Sequence, residues 1–431
     1  MPRQYINRSV NASLNDGAAW AAMSGFADTY SVPMAMALGA STSAVGLLKS
    51  LPFLISSAAQ IFIEKFIKAV GRCRRAILIS VAVQALSLYA AAFSILMPKT
   101  AGLAFFLCMI VVYTAAGNAA SAPWSALMGE YIPPAKRGSF FGFRYQIVGI
   151  AFFAGSYLAS RILDLLKGRG LLGFFVVFTV AGLLRTVSFF QITRMYEPRT
   201  DFHMPGASRV NFLSALDFRK GRSPALFFSV FLMLLGTYIA APYFSVYSLK
   251  ELKSSYPQFM VLMTIGQLMT YMLMRRWGRA ADVYGSVKIL KSAFLLIPTV
   301  PLLWSLSRNF FYLSAVEAFS GTVWGAYQIG MNNFIFETFP AHSRAGYNAF
   351  FIFTSGVAQF IGAMSGAWLY GHLPRIWGSP FVSLLFISGA VRAVAAVPMF
   401  ALVREIREVR PAGPFKIIKA LLFGIKPETE K

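Results

Sequence analysis

Asp28 and Glu317 are carboxylates set inside long apolar runs, Asp28 with Tyr30 and Pro33 just beyond it and Glu317 between Val316 and Ala318. An ionisable group in hydrocarbon is costly and is tolerated where it faces a bundle interior or a water-filled cavity. Two roles suit such a group. It can exchange a proton or hold a polar solute, or it can form a buried ion pair that ties helices together. The residue types leave both open. Lys49 sits in another apolar run, where it either partners one of these acids or reaches for the outer interface. Aromatic and amide side chains recur on the runs as well: Trp20, Tyr113, Asn118, Trp124, Tyr238, Tyr243, Trp324, Gln328, Asn332 and Asn333, with Gln146, Gln267 and Gln359 on supporting runs. Rings that stack and amides that hydrogen-bond suit a hydroxylated or amphipathic organic solute, and equally suit packing in a membrane core.

Other site chemistries find no pattern. His203, His342 and His372 are scattered without ligand spacing, and Cys73 and Cys108 have no metal-binding partner in sequence. No loop of the Gly-x-x-x-x-Gly-Lys type is present, so nucleotide hydrolysis is not indicated. Neither an enzyme, a cofactor nor a metal site is expected.

The runs that position these residues are membrane spans. Of 431 residues, 57% are hydrophobic and only 13% charged, and the apolar residues come in stretches of about twenty. Twelve candidates cover 17–39, 43–67, 76–97, 101–128, 139–163, 171–192, 224–249, 258–275, 287–306, 310–336, 347–370 and 381–403. The formal charge of +24 collects in the termini and in the loops after even-numbered spans, as in Lys65, Lys68, Arg72, Arg74 and Arg75. That is the positive-inside pattern and places both termini in the cytoplasm of a multi-pass inner-membrane protein; it accounts for the charge without nucleic acid. The two cysteines fall on opposite halves of the membrane, which argues against a disulfide.

The chain divides into an N-terminal bundle (1–192), a cytoplasmic linker (193–223), a C-terminal bundle (224–403) and a basic tail (404–431). The linker holds a short amphipathic segment, 211–218, and the tail resumes one at 415–426. The halves repeat. At one ungapped offset, the distance from Glu130 to Glu337, Pro133 and Arg137 match Pro340 and Arg344, Gly149 and Gly155 match Gly356 and Gly362, and Gly182 with Arg185 matches Gly389 with Arg392. Matched Glu, Pro, Gly and Arg at a single register indicate two related six-helix halves.

Between the eighth and ninth spans lies a hydrophilic stretch from Trp277 to Lys288, with Gly278, Asp282, Gly285 and Lys288 as its skeleton. The glycines permit a tight turn, and the Asp282 carboxylate suits a helix N-terminus. The first half has a weaker counterpart in Glu64, Lys68, Gly71 and Arg74, which departs at two of the four positions. This stretch resembles the signature loop of the major facilitator superfamily. The resemblance implies an all-α membrane protein with twelve transmembrane helices in two pseudo-symmetric bundles that rock around a central site. It implies that spans one, four, seven and ten line the cavity. It also makes Gly278, Asp282, Gly285, Lys288, Glu130, Arg137, Arg144, Glu337 and Arg344 a cytoplasmic gate, with Asp282 latching near residues 138–142. Arg144 could pair with Glu130, and the repeated Arg185 and Arg392 suit a structural role. The antiporter motif of a Gly-Pro pair with a following Gly-Gly is missing from span five. The expected activity is secondary transport of a small organic solute, coupled to protons through Asp28 or Glu317, by a monomer in the lipid bilayer. The alternatives are an exporter of amphipathic compounds or lipids and a non-transporting receptor or assembly platform.

Overall fold

The computed structural model describes residues 3–59, 62–133, 137–197, 222–339, 341–405, 413 and 417. The linker helix expected at 211–218 and the amphipathic tail, apart from Ile417, lie outside them.

The described chain is helical nearly throughout. The first half consists of α1 (Arg3–Ala37), α2 (Thr42–Ala59), α3 (Ile63–Val70), α4 (Cys73–Phe93), α5 (Lys99–Tyr131), α6 (Arg137–Leu165) and α7 (Leu172–Thr193). The second consists of α8 (Arg222–Ala240), α9 (Tyr256–Tyr284), α10 (Ser286–Leu296), α11 (Thr299–Ser305), α12 (Phe310–Thr338), α13 (Ala341–His372) and α14 (Pro380–Leu402). Nine helical segments among the described residues are long and apolar enough to cross a membrane. The remaining three long helices, α1, α9 and α12, have 35, 29 and 29 residues. Length is therefore not what keeps them below that hydropathy. Two of them carry the intramembrane carboxylates, and α9 ends in the hydrophilic stretch.

Several elements differ from the sequence reading, among them the span expected at 43–67, where α2 ends at Ala59 and α3 begins at Ile63. The first helix begins at Arg3 rather than near Gly17, because its polar residues find partners inside the protein. Ser9 is buried and accepts a hydrogen bond from the Tyr196 amide at 3.0 Å, and buried Ser13 donates to the Met128 sulfur at 3.2 Å. The stretch 277–284, expected as a turn, is the last two turns of α9; the reversal is confined to Gly285 at φ +92°. Trp277 holds these turns in place, 2% exposed and donating its indole N–H to the Thr322 carbonyl at 2.7 Å. The spans at 224–249 and 287–306 are each interrupted, near Pro242 and Pro298, where proline removes a backbone donor.

The chain forms two compact units. The first comprises α1–α7 with residues 242–264, whose Val246, Phe259 and Met260 join the core built on Phe26, Tyr30 and Phe106. The second comprises α8, the rest of α9 and α10–α14, around Trp277, Phe294 and Phe334. Within each unit the repeat-matched glycine of span five or eleven seats the helix that opens the half. A methyl on Gly155 would meet the Ala22 carbonyl oxygen of α1 at 2.5 Å, and one on Gly362 would run into the Leu235 carbonyl of α8. Backbone cannot yield as a side chain can. Gly155→Val should therefore lower the unfolding temperature of the purified protein by several degrees, while Gly142→Ala, with open space around it, should not. Equal effects of the two would refute the packing role.

Candidate functional site

Along α1, Asp16, Trp20, Ser24 and Asp28 recur every fourth residue and so share one face over about 18 Å of helix. That face forms one wall of a cavity of about 420 Å³ inside the first unit. The opposite wall comes from α5, whose Tyr113, Asn118, Ser121 and Trp124 turn towards it, and Gln84, Arg144 and Arg185 complete the lining. Each end of the cavity has its own charged group.

At one end Asp16 and Arg185 are 5% and 4% exposed. The Ser188 hydroxyl donates to Asp16 Oδ1 at 2.5 Å and accepts from Arg185 Nη1 at 2.7 Å, and that nitrogen lies 3.9 Å from the carboxylate. A hydroxyl thus joins a buried ion pair whose members come from α1 and α7. Beside it the Arg144 guanidinium lies 4.2 Å from the Trp124 ring centre, a cation–π contact. Gly17 leaves room for it, since a methyl there would come within 2.8 Å of Arg144 Nη2. Arg144 engages Trp124, and Glu130, its partner in the sequence reading, is exposed.

At the other end Asp28 opens to the cavity, in electrostatic reach of Lys49 and hydrogen-bonding reach of Tyr113 and Ser24. Lys49 itself donates to the Asp28 carbonyl and to Ser31 Oγ, both at 3.3 Å, contacts that tie it to span one. Midway, Asn118 donates to Ser56 Oγ at 2.7 Å, and Gln84 packs against Gly117.

The second unit builds a carboxylate site differently. Glu317 Oε1 accepts from the Trp304 indole at 2.7 Å, and its carboxylate is in electrostatic reach of Arg392. Gly266 and Gly321 bring α9 and α12 into backbone contact beside it. Arg392, 3% exposed, is the repeat counterpart of Arg185. Each half therefore buries its arginine towards one acid, but the acid comes from α1 in the first half and α12 in the second.

A family model described as Major Facilitator Superfamily matches residues 12–222 and 226–425, nearly the whole chain. The chain belongs to the major facilitator superfamily. No curated protein sequence matches it. Among solved structures of this fold, the nucleoside transporter NupG is similar with a TM-score of 0.66 and 14% identity over 93% of this chain and 99% of that one. A D-xylose-proton symporter has a TM-score of 0.69 and 14% identity, covering 93% and 97%. A bacterial homologue of the iron transporter ferroportin, in an inward-facing state, has 0.67 and 12%, covering 93% and 98%. Membership of the major facilitator superfamily makes the chain a multi-pass membrane transporter rather than an enzyme, with two six-helix halves.

The remaining residues singled out in the sequence divide by environment. Tyr243 and Gln359 are buried, Tyr238 and Trp324 partly so, and Gln146, Gln267, Gln328 and Asn332 are exposed. Of the residues expected at a cytoplasmic gate, Asp282 is exposed on the last turn of α9, and the side chains of Arg137 and Arg344 lie outside the described residues. Glu337 accepts from Ser286 Oγ at 2.9 Å. The carboxylate on the helix N-terminus beside Gly285 is that of Glu405, which accepts from the amides of Val287 at 2.9 Å and Lys288 at 3.4 Å. Glu197 does the same for α4, accepting from the Arg74 amide at 3.2 Å, while Arg74 Nη1 donates to the Met195 carbonyl at 2.7 Å. Carboxylates just past spans six and twelve thus cap spans three and nine, a pairing the loop pattern alone did not expose. Glu405→Ala should cost about 1–2 kcal/mol, read as a lower unfolding temperature. Glu405→Gln should lose less, and no loss with alanine would refute the cap.

Proposed function

We propose that the protein is a secondary transporter that carries a small organic solute across a cytoplasmic membrane by alternating access, with a proton as coupling ion, and acts as a monomer with both termini in the cytoplasm. The observation that supports this best is the cavity beside α1. It lies within the first helical unit and mixes aromatic rings, amides and hydroxyls with charged groups at both ends. Asp28 opens into it, so a proton on Asp28 and a solute in the cavity would meet in one space. Coupling to protons also has an instance among the similar folds, the D-xylose-proton symporter. Glu317 would serve the second half in the same way, and Asp282 would latch the cytoplasmic gate with Glu130, Arg137, Glu337 and Arg344 around it.

Proteoliposomes under an imposed pH gradient test the proposal. A broad panel of labelled solutes should include at least one whose accumulation follows the gradient and is lost with a protonophore. No flux for any member would overturn it and favour a receptor. For the latch, Asp282→Asn should change the transport rate and the balance of inward- and outward-open states read by cysteine accessibility; unchanged values of both would remove Asp282 from the gate.

A further inference from the structure

The cavity of the first unit is lined by two acids, Asp16 and Asp28, and two arginines, Arg144 and Arg185, and Lys49, beyond the lining, adds a third cation beside Asp28. Asp16 is matched by Arg185 through Ser188, and Asp28 by Lys49. Arg144 is the surplus cation. Asp16 lies in its electrostatic reach, but that carboxylate already takes the Ser188 hydroxyl and faces Arg185. The Arg144 guanidinium carbon lies over the Trp124 ring, and its buried Nε–H has no hydrogen-bond partner among the described residues. Two further donors on the same cavity share that condition, and the Gln84 Oε1 acceptor on its lining is also unpartnered among the described residues. The Trp124 indole N–H is an unpartnered donor, and so is the Nε–H of Arg185, whose side chain is nine-tenths buried or more. Buried donors are ordinarily satisfied. Here three of them surround one end of a cavity, and the surplus charge has their sign.

We infer that the solute carried by this site is an organic anion, its oxyanion taken by the edge of Arg144 beside Trp124 and its planar body lying along the α1 face towards Trp20. This rests on the transporter reading above and names the class of its substrate. A guanidinium held over an aromatic ring keeps N–H groups for a carboxylate or phosphate, which it binds best through two parallel hydrogen bonds. The contact with Trp124 restrains Arg144 before the ligand arrives. A neutral solute would leave Arg144 with only the charge of Asp16 that Arg185 already shares, and a cation would oppose it. Asp28, at the far end, sets the polarity: an anion held at Arg144 keeps its charge about a helix-length of two to three turns away from that carboxylate.

The test uses the full chain in lipid nanodiscs and four probes of one size: phenylacetate, phenyl phosphate, phenylacetamide and phenethylammonium. Binding is read by quenching of tryptophan fluorescence and by thermal shift. Phenylacetate or phenyl phosphate should bind about tenfold or more tighter than phenylacetamide, and the tighter of the two identifies carboxylate or phosphate as the favoured group. Arg144→Gln should erase the preference while phenylacetamide still binds, which also shows that the variant is folded. Arg144→Lys should keep part of it. Equal or tighter binding of the amide or the ammonium, an intact preference in Arg144→Gln, or no binding of any probe would overturn the inference. Flux of neutral solutes with no anion preference would overturn it and leave the transporter reading standing. An Arg144-dependent anion preference with no flux of any solute would do the reverse.

Discussion

Arg185→Leu should destabilise the purified protein by about 3–5 kcal/mol, the range for removing one partner of a buried ion pair. The penalty does not measure the attraction of the pair. It comes from Asp16, which would keep its place, 5% exposed on α1, with the Ser188 hydroxyl as its hydrogen-bond partner and Arg144 only in electrostatic reach. The double variant Asp16→Asn with Arg185→Leu should therefore be more stable than Arg185→Leu alone, a coupling that additive losses would contradict. Arg185→Lys keeps the charge but not the placement of the Nη1 nitrogen that donates to Ser188 and faces Asp16, so it should fall between the two. Unfolding in detergent, followed by tryptophan fluorescence, ranks the four proteins. A loss below about 1 kcal/mol for Arg185→Leu would mean that the pair is no more than a surface-like contact.

The same cluster shows what the sequence could and could not carry. Twelve apolar runs and the repeat of Gly182–Arg185 at Gly389–Arg392 lead directly to a twelve-helix, two-half membrane fold, because hydrocarbon thickness and backbone satisfaction leave few alternatives. Asp16 was hidden by that same reasoning. Hydropathy marks where a helix meets lipid, whereas Ser9, Ala12, Ser13 and Asp16 of α1 pack against protein, so the apolar run alone starts the span near Gly17. Its signal was nonetheless present in the four-residue spacing of Asp16, Trp20, Ser24 and Asp28, one face of a single helix. Ser188 and Gln84 offered nothing comparable; their importance follows from which helices face each other, and no local pattern encodes that. The hydrophilic stretch after Trp277 shows a third case. Its residue types suit a turn or a helix end equally, and burial of the Trp277 ring against α12 decides for the helix.

The repeat also explains why the two acids read first in the sequence are not equivalent. Arg185 and Arg392 hold matching positions, yet the position matching Glu317 in the first half is Ile110, and Asp28 lies opposite Lys49 rather than an arginine. Only Asp28 opens to the described cavity, whereas Glu317 is engaged by Trp304.

That difference sets the last expectation, for Asp28→Asn and Glu317→Gln. If both acids exchange the coupling proton, each amide should reduce gradient-driven accumulation to the level of passive equilibration. Solute exchange across a membrane without a gradient should persist, since an amide keeps the shape and polarity of the acid but cannot cycle a proton. If instead they serve as ion-pair partners, the amides should lower stability and leave coupling intact in whatever protein remains folded. Glu317→Gln separates the two most sharply. A glutamine carbonyl can still accept from the Trp304 indole, so packing of α11 on α12 survives, and what is withdrawn is the negative charge facing Arg392. Accumulation and unfolding temperature measured on the same preparations decide between them. Parental accumulation in both variants would remove the proton role from Asp28 and Glu317 and leave the polar cavity as a solute site driven by its own gradient.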